Sequence, residues 1–418
     1  MTRMNNRRHS TESITGNATN ILSDRFGEKV KLRVDKIFQT MGSIVLRCQV
    51  IEPPTGCPST VIVKKVREDQ YSYRPDSAET PNAAHALFSD WAALEFLNQI
   101  GGDPPLAPCF YGGSRDSGLI LLEDLGDSES PTTIQALQGD DPELAERMLL
   151  EHVALIGQLH AKTIGQFDQY NCLRSALGPA PRPGKLFRDP WSDARLSPIP
   201  DADIEEVIFS YRSVCQSVGV HPDRSIGAEI EQVAIAVEQN PEQWLAFCKG
   251  DQNEAGDYIR CNGRPRFFDF DGGGFRHALI EGVPGRMTWG CMMRLPSRLL
   301  PSMERAYRNS LSLGCPAALD DLAFSQAMIK TAARWHILHV IHRLQDALAA
   351  DRQRGPTTLR QQTVAWIEAF ANLSTETGLM SSLGKPAREI AERLRQLWNK
   401  EEIELPYYPV FRESVESI

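Results

Sequence analysis

From Lys29 to Val50 apolar and polar positions alternate, first in KVKLRVDKI and then in SIVLRCQV, with Gly42 at the turn between them. A period of two marks strands with one covered face. Pro53, Pro54 and Gly56 make the next turn, and the β-branched run STVIVKKV predicts a third short strand. The polar stretch REDQYSYRPDSAETPN holds two prolines and forbids a regular element. From Ala83 to Ile100 the period changes: Leu87, Trp91, Leu94 and Phe96–Leu97 recur at helical spacing. A second strand pair is expected to bracket Gly112–Gly113 and to end in SGLILLEDLGD. Beyond residue 125 the pattern is chiefly helical. Leu149, Val153, Ile156 and His160 stripe a helix over 142–163, and Ile337, Ile341, Leu344 and Leu348 share one face near the end. Two interruptions stand out. The proline-rich segment of roughly 178–201 reads as loop or lid. The segment WLAFCKGDQNEAGDYIRCNGRPRFFDFDGGG reads as a β-hairpin with its turn at Asn262–Gly263. No internal repeat or heptad run appears.

Composition narrows the class. The 418 residues are 41% hydrophobic and 24% charged, ordinary for a globular chain and enough for two or three folding units. With 45 Lys+Arg against 54 Asp+Glu the net charge is −9, which argues against a general nucleic-acid binder. No apolar run approaches the roughly 20 residues that cross a bilayer. In the first 20 residues Glu12 is the lone acid, but there is neither the apolar core of a secretory signal nor an amphipathic stripe. Residues 1–27 therefore read as a polar, mobile leader. The nine cysteines are odd in number and never form a CxxC pair, which removes a zinc knuckle and a dithiol centre. They read as buried thiols of a reducing cytoplasm.

Against this background a few polar residues sit where chemistry would need them. Lys64, in VIVKKV, projects from a fixed strand, and its neighbour Lys65 points to the opposite face. A carboxylate on the next helix would orient that ammonium. Asp90 and Glu95 both qualify, and about 500° of helical rotation between them means that only one can face it. The apolar strand LILLEDLG runs into Glu123, Asp124 and Leu125, as a hinge does whose backbone pairs with a nucleobase. KGD (Lys249–Asp251) is followed by FFDFD, which carries Asp269 and Asp271. Two carboxylates at the adjacent ends of a short hairpin can converge on one site, one handling a hydroxyl proton and one binding a divalent cation.

Taken in order, Lys64, LILLEDLG, IGQLHA (Ile156–Ala161), KGD and FFDFD resemble the aminoglycoside phosphotransferase and choline kinase-like group over roughly residues 30–350. The resemblance implies an α/β (α+β), bilobal protein-kinase-like fold. A strand-rich N-lobe over 28–125 would be followed by a helical C-lobe over 126–350, with 351–418 as a helical extension. It further implies transfer of a phosphoryl group from ATP, with Mg²⁺, to a hydroxyl on a small molecule. Asp251 then matches the catalytic base, Lys64 the phosphate lysine and Asp269 a metal ligand, with Asp271 beside it. The turn at Gly42–Ser43 matches the phosphate-covering loop, and Glu123–Leu125 the hinge. Neither an HRD catalytic loop nor an APE segment is present, so a protein kinase is disfavoured.

Three departures qualify the match. Lys249 replaces the signature histidine, only Gly42 remains of a glycine-rich loop, and Gly256 stands where an asparagine ligand belongs. Asp257, or less favourably Asn253, would have to replace that asparagine. A rival reading follows: an inactive member of the group that binds a nucleotide or metabolite. Other features point away from chemistry. His336, His339 and His342 spread over about 120° of a helix and cannot share one ion. Gly272–Gly274 lacks the Lys-Ser pair of a phosphate loop and reads as a turn needing glycine φ values. Arg276, His277, Arg286 and Arg294 either bind an anionic substrate or order their loop.

Overall fold

A computed structural model describes residues 2–40, 42–68, 72–103, 105–128, 130–181, 186–187, 203–250, 258–282, 284–288 and 292–412. The chain forms two compact units. One comprises Met1–Ser130, Asp168–Arg182 and Asp257–Gly273, the other Pro131–Phe167, Pro183–Gly256 and Gly274–Ile418. In chain order the elements are α1 (Thr2–Phe26), β1 (Lys31–Gln39), β2 (Ser43–Ile51), β3 (Thr60–Val66), α2 (Ala83–Ile100), β4 (Phe110–Ser114) and β5 (Leu119–Glu123). There follow α3 (Thr133–Gln138), α4 (Pro142–Thr163), α5 (Phe167–Leu177), α6 (Ile204–Ser217), α7 (Ile226–Val233), β6 (Leu245–Cys248), β7 (Tyr258–Cys261), β8 (Arg264–Phe267) and β9 (Gly274–His277). The rest are α8 (Leu279–Gly282), α9 (Leu300–Leu311), α10 (Asp321–His342), α11 (Leu344–Ala349), β10 (Gln353–Arg354), β11 (Thr357–Thr358), α12 (Leu359–Thr377), α13 (Ser381–Leu397) and α14 (Lys400–Ile403). The expected mixture is therefore present: a strand-rich first unit and a mainly helical second one.

The first unit is built on an antiparallel sheet of order β1-β2-β3-β5-β4. Its central strand β3 buries Val61 and Val63 on one face, as alternation requires, and sends Lys64 to the other. The covered face packs against Leu46, Cys48, Leu119 and Leu121, and then against a helix. That helix is α1, where a mobile leader was expected. Ile14, Ala18 and Leu22, spaced four apart, are buried in the same cluster. Their stripe is narrow and interrupted by polar residues, so the periodicity alone does not reveal it, and burial against the sheet supplies the missing stability.

Two further expectations change. Gly112 and Gly113 lie inside β4 rather than between strands, and the turn falls at Arg115–Gly118. Glycine is required at 113 because a Cβ there would come within 2.4 Å of the Trp91 ring on α2. The long hairpin proves to be two pairings. β7 and β8 do turn at Asn262–Gly263, both with positive φ (53° and 71°) as a tight type I′ hairpin demands, but β6 pairs with β9. All of β9 and most of β6 are buried, with Phe247 opposite Phe275, so each completes the other within the second unit.

In the second unit α4 spans 142–163, as its stripe predicts, and packs along α9. The face read through Ile337 to Leu348 breaks at Arg343 into α10 and α11. Helices α12 to α14, expected as an extension, belong to this unit. Most of the proline-rich segment falls outside the described residues, although Leu186 and Phe187 within it are buried.

Candidate functional site

The first unit brings Lys64 together with two carboxylates. The Lys64 ammonium donates to Asp90 Oδ2 at 2.6 Å and to Asp269 Oδ1 at 2.5 Å. Burial works against its charge, but the carboxylates of Asp269, Asp90 and Asp271 outweigh that and hold its pKa well above the ordinary value. The choice between Asp90 and Glu95 is thereby decided. Glu95 lies on another side of α2 and accepts from the Trp91 indole at 3.2 Å. Asp90 is buried and has a second duty, since its Oδ1 accepts the Phe270 N–H at 3.0 Å. One carboxylate thus fixes both the lysine and the backbone beside Asp269.

Asp269 itself is 41% exposed at the side chain and sits at φ +61°. That left-handed conformation is costly for a non-glycine residue and persists only where neighbours impose it. Phe270 supplies the restraint: it is fully buried, and its carbonyl accepts from Gly273 N–H at 2.8 Å. The turn after FFDFD is therefore present, with its positive φ at Asp269 rather than at the glycines that were expected to carry it.

At the end of β5 the side chains have structural partners. Glu123 accepts from the Arg266 guanidinium at 2.9 and 2.6 Å and from the Cys109 N–H at 2.9 Å. Burial raises its pKa, but the Arg266 and Cys109 bonds win and leave it below the usual range. Asp124 is held by Arg47 at 2.6 Å, and Leu125 is buried. The Glu123 N–H donates to Cys109 O, so one of the backbone groups expected to face a nucleobase is already in the sheet. The Gly42–Ser43 turn is also internally closed: Ser43 N–H donates to Thr40 Oγ1 at 3.0 Å, and Gly42 O accepts from Arg67 N–H. Asp251 and Asp257, along with Asn253 and Gly256, lie outside the described residues.

The second unit contains a network that the sequence reading missed. Glu281, buried in α8, accepts from Lys249 N–H at 3.1 Å, Gly250 N–H at 2.7 Å and His160 Nε2 at 3.1 Å. His160 Nδ1 meets the Tyr307 hydroxyl at 2.9 Å. Burial raises the Glu281 pKa, yet the His160 and Gly250 bonds more than compensate and lower it. The carboxylate thus holds the first two residues of KGD. A lone acid inside the apolar run ALIEGV was the signal available in the sequence. His160, Cys248 and Glu281 also lie close enough to suggest a metal, but the glutamate oxygens are engaged by those three donors.

Of the three α10 histidines, His336 and His339 are core residues and His342 is exposed. His336 meets the Tyr211 hydroxyl at 2.8 Å, and His339 bonds to Trp335 O and stacks on Trp366 at 4.1 Å. Arg276 and His277 are buried in β9, so ordering rather than substrate binding is their part.

No family model matches the chain, and no curated protein does. Its path is similar to solved structures of small-molecule kinases. One is an ethanolamine kinase of Plasmodium vivax, with 10% identity, a TM-score of 0.40 and 82% of each chain covered. A choline kinase of Cryptosporidium parvum Iowa II has 10% identity and a TM-score of 0.39, over 88% of this chain and 90% of that one. An aminoglycoside phosphotransferase in ternary complex with streptomycin and ATP has 11% identity and a TM-score of 0.39, over 79% and 94%.

Proposed function

We propose that this chain is a small-molecule kinase, transferring the γ-phosphoryl group of ATP to a hydroxyl of its substrate. The observation that carries the reading is Lys64 on a central strand, held by buried Asp90 and reaching part-exposed Asp269. Lys64 is placed to take phosphate oxygens while Asp90 keeps it oriented. Asp269 and Asp271 offer the hard anionic oxygens that suit Mg²⁺, whose contribution when bound is to neutralise charge on the phosphates. Asp251 accepts or aligns the acceptor's hydroxyl proton, on sequence grounds. Asp257 stands in for the absent asparagine ligand.

A second reading, a nucleotide- or metabolite-binding module without turnover, is favoured by one feature. The Gly42–Ser43 turn spends its Ser43 N–H on Thr40, which leaves fewer backbone donors for phosphates. Thermal shift with ATP, with and without Mg²⁺, is the test. The kinase reading expects stabilisation that needs Mg²⁺, is lost in Asp269→Ala and survives in Asp251→Asn, with turnover abolished in both variants. Mg²⁺-dependent binding without turnover in the unaltered chain selects the module, and no binding sinks both.

A further inference from the structure

Two of the arginines expected either to bind an anionic substrate or to order their loop, Arg286 and Arg294, line one cavity of about 300 Å³ in the second unit. Its walls come from the segment after α8, from α12 and α13, and from the end of α14. On α12 the face Ala365, Ala369 and Leu373 forms an apolar floor. Around it stand Arg286, Arg294 and Arg395 and, interleaved with them, Glu368, Glu376 and Glu404. The pairs are Arg286–Glu376 at 3.2 Å, Arg294–Glu404 at 3.0 Å and Arg395–Glu368 at 2.5 Å.

The charges in this lining cancel. A net anion would meet the glutamates and a net cation the arginines, while a molecule carrying both signs complements the wall. Arg286 is also held by Glu304 at 3.2 Å, whereas the Arg294–Glu404 pair is exchangeable. Arg294 and Glu404 are each nearly half exposed, and solvent-screened pairs of this kind contribute little to stability, so opening this one to admit a ligand costs little. The apolar floor then favours an aliphatic body between the charged ends, and the volume lies at the small end of ligand sites, roughly 300–1,000 Å³. We infer that this cavity binds a small zwitterion with an aliphatic body, its carboxylate on the arginines and its ammonium on the glutamates. The inference is separate from the kinase reading, because it needs neither nucleotide nor Lys64.

The test is calorimetric titration of the full chain, without ATP, using L-leucine, N-acetyl-L-leucine and L-leucine methyl ester. L-leucine should bind at least about tenfold more tightly than the anionic or cationic analogue, a difference of about 1.4 kcal/mol. Ala369→Trp, which fills the floor, should abolish binding. Arg294→Gln, at a half-exposed position, should weaken it by about tenfold as well. Absence of L-leucine binding overturns the assignment. So does equal binding of all three compounds, or binding that both variants leave unchanged. Should Ala369→Trp fail to fold, Arg294→Gln alone decides.

Discussion

An ammonium shared by two carboxylates stays charged across any working pH, and it gives each carboxylate a reason to stay in place. On the proposed kinase reading, Lys64→Met should weaken ATP binding but leave adenosine binding unchanged, since only the phosphates would lose a partner; competition titrations with both ligands check this. Removing Asp90 has a different cost. Asp90→Asn gives up a charged partner for Lys64 and puts the Phe270 N–H bond at risk, and should cost about 2 kcal/mol of stability by denaturant unfolding. Glu95→Gln, whose partner is a single half-buried indole, should stay within about 0.5 kcal/mol. Strand alternation singled out Lys64 over Lys65, and the acid-bearing end of FFDFD singled out Asp269. The preference for Asp90 was not legible, because it depends on how α2 is rotated against the sheet. Nor was the Arg266 grip on Glu123, formed across 143 residues of chain.

Elements were legible where their own periodicity decided them and illegible where a partner did. β1 to β3, α2 and α4 carry clean patterns of two or 3.6 and form as read. α1 does not: its apolar positions are few, and it is a helix because the sheet accepts Ile14, Ala18 and Leu22. Leu22→Ala should cost about 2–5 kcal/mol, the price of a buried leucine cavity, and the loss should appear in thermal unfolding of the first unit. Position 113 makes the same argument by contact. Gly113→Ala would force its methyl into Trp91 and drive β4 from α2, so a destabilisation of about 1–3 kcal/mol is expected, with a shift in Trp91 fluorescence. Reading Gly112–Gly113 as a turn was reasonable from composition alone, and only the helix lying across the strand shows why small residues are needed there.

At the scale of the whole molecule the buried histidines decide how the chain responds to acid. Burial lowers His336 from 6.5 to about 3. Burial, reinforced by His160 and Lys330, lowers His277 to about 3 as well. His339 is pushed well below its ordinary value by burial and then by Arg343. All three belong to the second unit; in the first, among the described residues, only His85 is lowered, again chiefly by burial. In each case the folded state holds the neutral ring while the unfolded chain takes up a proton near pH 6.5. The stabilisation is therefore complete above about pH 6.5 and declines as the pH falls toward the folded values. At about 1.4 kcal/mol per pH unit, His277 and His336 each forfeit about 2 kcal/mol between pH 6.5 and 5, and His339 adds to the loss in the same direction. The depressed carboxylates Glu123 and Asp124 of the first unit act in a lower window, as the pH falls through the carboxylate range. Acidification to pH 5 should thus loosen the second unit first. Hydrogen exchange followed by mass spectrometry should show α10 and α12 losing protection while β2, β3 and β5 keep theirs. His336→Phe, which replaces a ring stacked on Phe370 with one that cannot titrate, should reduce the acid sensitivity. Equal loss of protection in both units, or an unchanged acid response in that variant, would show that some other group governs the transition.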